Sequence, residues 1–398
     1  MKKLRRKDLE KIKAASKRLS LLEEKNRNLF LENLTEVIMQ KRQEIISANK
    51  RDVEFAINAC LPSALVERLG IDEAEIKKMV EKVHEIKKLD SELGEILEEK
   101  IQENGLVLKK VTVPLGVIFV IYESRPEVTI DVASLCVKSA NAVILKGGSE
   151  AIRTNKALFA CVQLALRASG LAKETVSLIA ERGEVSGLLK QREYIDLVVA
   201  RGGYKLVNYV LKNSTIPVLA HSAGGARIYV DESANLSMAE EIILDAKTSK
   251  PAACNSLDTV VIHQNIAAKF VSKITSRLKA SGVKIVKNDW NTEFLGLRAS
   301  IKVVKNVEEA VNFINQHTKK HSEGIIATDK KVIDYFTKSI DSAALFINCS
   351  TRFHDGYVFG LGSEMGISTG KLHARGPVGL KELTIYKWIA YGNGQIRG

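Results

Sequence analysis

Apolar residues recur at three-to-four spacing through the first 97 residues, as at Leu29, Phe30, Leu34, Val37 and Ile38, and this periodicity predicts helices. Over 100–113, two alternating runs flank Asn104-Gly105, which signals a two-residue hairpin. From Gly116 the pattern changes to strand over 117–121, helix over 127–139, strand over 142–145 and helix over 150–169, with further apolar runs at 176–179, 195–199 and 217–219. A second series follows near Ala226. Its strands are expected at 227–230, 259–262, 301–304, 325–327 and 344–347, with helices over 266–281 and 307–316. Alternation of this kind implies parallel sheets covered by helices on both faces.

At 398 residues the chain exceeds one ordinary core, so at least two α/β domains are expected. The longest apolar stretch, 113–122, is half the length of a membrane span and carries Pro114 and Gly116, so it reads as a buried strand. The basic N-terminus lacks the apolar segment of a signal peptide, and Asp8 and Glu10 argue against a transit peptide, which predicts a cytoplasmic location. Five scattered cysteines form no metal or disulfide spacing, and Cys136 and Cys161 sit among apolar neighbours as core residues do. The net charge of +13 would suit nucleic acid or a small anionic substrate, but bases and acids interleave along the chain and no nucleic-acid-binding motif appears.

Two glycine-containing segments mislead. Gly360-Leu-Gly-Ser-Glu-Met-Gly366 has the wrong spacing and context for a dinucleotide fingerprint, and Leu372 follows Lys371 where a phosphate loop needs Ser or Thr. The informative segment is Ser249-Lys-Pro-Ala-Ala-Cys254-Asn-Ser. It places a cysteine in a small-residue loop at the mouth of a strand, where open sheets host ligands. A thiol suits acyl transfer because it is already partly ionised at neutral pH. On this evidence alone a packed structural cysteine is the favoured reading, since single cysteines are more often structural.

Longer stretches carry a resemblance. Val113-Pro-Leu-Gly-Val-Ile-Phe-Val-Ile-Tyr-Glu-Ser-Arg-Pro126, Leu145-Lys-Gly-Gly-Ser-Glu150, Lys250-Pro-Ala-Ala-Cys-Asn255 and Lys371-Leu-His-Ala-Arg-Gly-Pro-Val-Gly379 resemble, in order, the γ-glutamyl phosphate reductases of the aldehyde dehydrogenase superfamily. The resemblance implies two Rossmann-like parallel-sheet domains plus a small β-hairpin oligomerisation arm. The expected bounds are 1–97 and 113–225 for NADP binding, 226–383 for catalysis, and 98–112 with 384–398 for the arm.

It also implies roles, position by position. Cys254 matches the nucleophile, Lys146 the lysine that binds the adenosine ribose, and Glu293 the glutamate that holds the nicotinamide ribose. Many NAD-specific relatives carry an acid three residues after that lysine, where this chain has Ser149. A carboxylate about 4 Å from a 2′-phosphate would cost roughly 4 kcal/mol at an effective dielectric near 20. Its absence, with Arg153 one turn onward, favours NADPH over NADH. Gly202-Gly203 suits either close approach of a helix N-terminus to the pyrophosphate or a tight turn.

Two departures from the general superfamily pattern point to reduction. The water-activating glutamate is missing around Leu219–His221, and such a base would waste a thioester meant for hydride. Arg125 stands near the usual oxyanion asparagine and fits either a substrate phosphate or a structural ion pair. His373 and Arg375 are candidates for the substrate's carboxylate or phosphate, and His221 for a proton donor or substrate contact. No metal is expected. The implied activity is NADPH-dependent reduction of L-glutamyl 5-phosphate to glutamate 5-semialdehyde in a homo-oligomer, linked functionally to a separate glutamate kinase. A CoA-acylating aldehyde dehydrogenase and a nucleic-acid-binding protein are the alternatives.

Overall fold

The computed structural model describes residues 4–220 and 223–397, which divide into two compact units. The first comprises the stretch ending at Leu219, Gly360–Met365 and the stretch from Val378. Five helices open it: α1 (Arg6–Leu19), α2 (Glu24–Gln40), α3 (Arg42–Asn58), α4 (Ser63–Leu69) and α5 (Glu73–Lys88). Strands β1 (Ile96–Ile101) and β2 (Val107–Pro114) pair antiparallel, and the C-terminal strand Thr384–Tyr391 adds to the other edge of β2. The hairpin is wider than Asn104-Gly105 suggests. Gln102 N–H bonds Leu106 O, so three residues close the loop, with Gly105 at φ 81° as such loops require.

A five-stranded sheet follows, built from β3 (Val117–Tyr122), β4 (Ala142–Lys146), β5 (Val176–Leu178), β6 (Leu197–Arg201) and β7 (Val218–Ala220). Its spatial order is β5-β4-β3-β6-β7. Every residue of β3 is buried, as a central parallel strand covered on both faces demands. Helices α6 (Val128–Lys138), α7 (Ile152–Ala168), α8 (Val185–Leu188) and α9 (Tyr204–Asn213) connect the strands. All of α6 is buried, including Lys138, whose ammonium is met by Glu24, Asn28 and the Lys87 carbonyl. Chain order reverses between β3 and β6, so the ligand-binding crevice of such a sheet lies beyond their carboxyl ends.

The second unit comprises Ala220–Phe359 and Gly366–Pro377. Its parallel sheet contains β8 (Ala226–Val230), β9 (Leu257–His263), β10 (Lys284–Val286), β11 (Arg298–Val304), β12 (Ser322–Ile326) and β13 (Ala344–Ile347), in the order β10-β11-β9-β8-β12-β13. Helices α10 (Leu236–Thr248), α11 (Gln264–Ala280), α12 (Val307–His317) and α13 (Lys330–Ser339) cover it. Asn235, Asn306 and Asp329 cap three of them by accepting first-turn N–H groups. A two-residue ladder, β14 (Ile367–Ser368) with β15 (Gly376–Pro377), frames the loop that carries His373. The C-terminal strand of the first unit is β16 (Thr384–Tyr391). Cys136 and Cys161 are buried and burial pushes both thiols up, Cys161 to about 11, so both are unreactive packing residues. Among the described residues, no helix is long and apolar enough to cross a membrane.

Candidate active site

Cys254 lies in the turn between α10 and β9, half-exposed. Pro251 lacks the N–H to continue the helix, and small residues let the chain fold back on itself. Ala253 N–H bonds Lys250 O and Ser256 N–H bonds Ala253 O, each at 3.0 Å. The lead into β8 then zips onto the turn through Gly225 N–H to Cys254 O at 2.5 Å and Ala226 N–H to Ser256 O at 3.0 Å. Gly224 makes this contact possible. A Cβ there would stand 2.6 Å from Cys254 Cβ and 2.7 Å from its Cα.

The turn is held from a third side by Asn255. Its Nδ2 donates to the carbonyls of Arg352 (3.3 Å) and His354 (3.0 Å), and its own carbonyl accepts Thr351 Oγ1 at 2.8 Å. Beneath the turn, Lys247 Nζ faces Asp258 Oδ1 at 3.7 Å, both buried. Burial pushes Asp258 up to about 6 and Lys247 down to about 8, and each partner partly offsets the other's shift. Asp258 Oδ1 also accepts Phe294 N–H at 3.2 Å, which anchors the loop carrying Glu293 and brings that carboxylate close enough to push Asp258 up further.

The thiol thus precedes its strand. The strand-mouth expectation holds only in part, because Cys254 sits at the amino ends of the parallel strands and not at the carboxyl ends that usually receive ligands. The same end of this sheet carries Lys320 and Asp341, just before β12 and β13. Asp341 gathers three cations: Arg375 Nη1 at 2.8 Å, Lys371 Nζ at 3.1 Å and Lys320 Nζ at 3.3 Å. They hold its carboxyl well below the usual carboxylate range. His373, at φ 68°, tops the same loop, while His221 lies outside the described residues.

In the first unit the remaining candidates collect at the carboxyl ends of β3, β4 and β6. Lys146 and Ala200 both stand level with Ile121, one on each side of it. Lys146 is buried and its ammonium pairs with no carboxylate among the described residues; its hydrogen bond goes to Gly147 O at 2.5 Å, and burial lowers its pKa. Gly202 and Gly203 follow β6 and open α9, where the Gly203 N–H donates to Glu123 Oε2 at 2.8 Å. A Cβ on Gly202 would stand 2.7 Å from Leu206 Cδ2 and 2.9 Å from Glu123 Cδ. Arg125 is half-buried, and its charge opposes the rise that burial imposes on Glu127. Ser149 is exposed, and the neighbouring Glu150 is occupied by Ser124 N–H and Oγ, both at 2.8 Å. Arg153 keeps Nη1 on the buried Asp52 at 3.1 Å.

The model of the aldehyde dehydrogenase family matches residues 5–294. A γ-glutamyl phosphate reductase of Caldanaerobacter subterraneus subsp. tengcongensis is 43% identical over 97% of this chain and 98% of its own. One of Clostridium tetani is also 43% identical, over 97% of each chain. The crystal structure of the Thermotoga maritima γ-glutamyl phosphate reductase superposes with a TM-score of 0.94 at 37% identity, covering 98% of this chain and 99% of that one. The chain belongs to the γ-glutamyl phosphate reductase family.

An acetylating aldehyde dehydrogenase of Geobacillus thermoglucosidasius, at 18% identity and a TM-score of 0.75, shares the fold. Membership of the aldehyde dehydrogenase family implies a nicotinamide cofactor. Lys146 fits that implication, since a buried ammonium whose one hydrogen bond is to a neighbouring carbonyl has donors left for a pair of hydroxyls. The N-terminus of α9 fits it less directly, because Glu123 already satisfies the Gly203 N–H.

Two neighbours of the Cys254 turn were not legible in the sequence. One is Arg352, tied to the Cys254 turn through its backbone. The other is Gly224-Gly225, signalled in the sequence by its position just before an apolar strand.

Proposed function

We propose that the chain reduces L-glutamyl 5-phosphate to L-glutamate 5-semialdehyde with NADPH, releasing phosphate, in proline biosynthesis from glutamate. The observation that carries this reading is the half-exposed Cys254 held in a turn fixed from three sides, in a chain alike over its whole length to γ-glutamyl phosphate reductases. A rigid turn keeps the nucleophile aimed without an ordering cost at each turnover.

The Cys254 thiolate attacks the acyl carbon, the C–O bond to phosphate breaks, and a thioester remains on the sulfur. NADPH, when bound, supplies the hydride that reduces the thioester carbonyl. Cys254 retains the thiohemiacetal, whose oxyanion takes the Cys254 backbone N–H, and collapse frees the thiolate and the aldehyde. We assign Arg125, His221, His373 and Arg375 to the charged groups of the substrate. Lys146, Ser149, Arg153, Gly202, Gly203 and Glu293 are assigned to the cofactor. The uncharged Ser149 supports NADPH over NADH, since no carboxylate stands at that position to oppose a 2′-phosphate.

On this reading the first unit is the NADP-binding domain and the second the catalytic domain. The β1-β2-β16 sheet exposes Ile96, Leu97, Ile101, Tyr386, Trp388 and Tyr391, which supports a role as the surface of a homo-oligomer. A separate cytoplasmic glutamate kinase supplies the labile acyl phosphate.

The reaction is tested in reverse. Glutamate semialdehyde is expected to reduce NADP only when inorganic phosphate is added, with turnover falling to background in its absence. Phosphate-independent turnover would indicate a hydrolytic enzyme, and turnover requiring CoA an acylating one; either result overturns the proposal.

A further inference from the structure

Arg352 is half-buried, yet no carboxylate among the described residues lies within ion-pair distance of it. A half-buried guanidinium with no standing carboxylate keeps donors open to a charge that arises during the reaction. Its attachments are specific. The Nε–H donates to Ser249 Oγ at 3.3 Å, the carbonyl accepts Asn255 Nδ2 at 3.3 Å, and the N–H bonds Ser350 Oγ at 3.3 Å. The adjoining Thr351 Oγ1 returns a bond to the Asn255 carbonyl at 2.8 Å. Arg352 is therefore tied to Asn255 by its backbone and to Ser249 by its side chain, and Cys254 lies on the turn between those two residues.

The surrounding charges single out the sulfur. Burial draws the guanidinium below its usual value, and Cys254 is the foremost group opposing that shift, ahead of Asp245 on α10 and Asp355 on the same loop. Lys247 and Asp258, beneath the turn, face each other, and Glu293 faces Asp258. Neither carboxylate of the Arg352 surroundings reaches ion-pair distance, so the cation is left to a charge arising at the thiol.

We propose that Arg352 is a catalytic residue, whose guanidinium holds Cys254 as the thiolate and then takes the charge of the departing phosphate. The second half rests on the reaction proposed above. Sulfur gives an electron pair to the acyl carbon as the S–C bond forms, and the phosphate oxygen leaves with the pair of the broken C–O bond. Negative charge thus moves from sulfur to phosphate over one bond's reach, and the departing phosphate takes a proton from water in place of the one the thiol had released. A planar guanidinium can face both charges in turn, with two N–H groups matched to two phosphate oxygens.

The test combines thiol alkylation with kinetics on the full chain. In Arg352→Met, the pH midpoint for iodoacetamide labelling of Cys254 should rise by about one unit or more, which is roughly tenfold slower labelling at neutral pH. In the reverse reaction, KM for inorganic phosphate should rise roughly tenfold or more while KM for NADP stays unchanged. Arg352→Lys keeps the charge but loses the fork. It should label near the wild-type midpoint and still show the raised phosphate KM, and it serves if the Met variant fails to fold. A labelling profile of Arg352→Met that overlays the wild type, or a folded Arg352→Lys with unchanged phosphate KM, overturns the proposal. Wild-type turnover without phosphate would instead overturn the assigned reaction, and the labelling profile would still judge the guanidinium.

Discussion

Cys254→Ala is expected to lose turnover by on the order of 10⁴-fold or more, because the covalent route through its sulfur closes. That loss corresponds to roughly 5 kcal/mol of transition-state stabilisation. Stability should change little, since the side chain is half-exposed and the turn is held by backbone bonds and Asn255, not by the sulfur. Cofactor binding, followed by nicotinamide fluorescence, should persist, because all the residues assigned to the cofactor except Glu293 belong to the other unit. Retained turnover in a verified Cys254→Ala protein would remove the assigned nucleophile.

The second large effect is expected from the glycine pair. Gly225 adopts φ 101°, where side chains are strained, and a Cβ there would stand 3.1 Å from Asp258 Cγ and closer still to its Oδ2. Conformational strain of about 1–3 kcal/mol and overpacking of similar size add, so Gly225→Ala should be destabilised by roughly 3 kcal/mol or more. Gly224→Ala behaves differently. Its φ is not in the left-handed region, but its Cβ would press on the backbone of Cys254. The turn must shift, so activity should fall on the order of 10²-fold, as for a displacement of about 1 Å at a reacting group. Thermal melts and steady-state rates on both variants check this contrast. Equal stability and rate in Gly225→Ala would show that the zipper onto the Cys254 turn is not the constraint described.

Much of the architecture could be read from the chain because it rests on burial pattern. The apolar run within 117–121 gives the central strand, since a strand covered on both faces needs no polar alternation, and Cys254, Lys146 and Arg375 stand out through motifs with short local spacing. The hairpin was legible in kind but not in width, because Asn104-Gly105 also suits a three-residue loop in which only Gly105 turns left-handed. Strands of two or three residues, such as Lys284–Val286 and Ile367–Ser368, carry too few positions to show any period.

The site's other half was hidden for a different reason. Asn255 and Arg352 are 97 residues apart, and Arg153 meets Asp52 across 101, so no spacing rule connects them. The partners of Gly203 and Ser124, namely Glu123 and Glu150, look like ordinary surface acids until the strands are placed side by side. Long-range pairing of charged groups is a property of the fold, and local pattern does not encode it.

The central claim is that a glutamyl group resides on Cys254 between loss of phosphate and reduction. Intact-mass and peptide mass spectrometry of the protein mixed with freshly made L-glutamyl 5-phosphate, without NADPH, measures this directly. The account predicts one added glutamyl group, carried by the peptide containing Cys254 and discharged when NADPH is supplied. An adduct on another side chain, or none under conditions that support turnover, would contradict it.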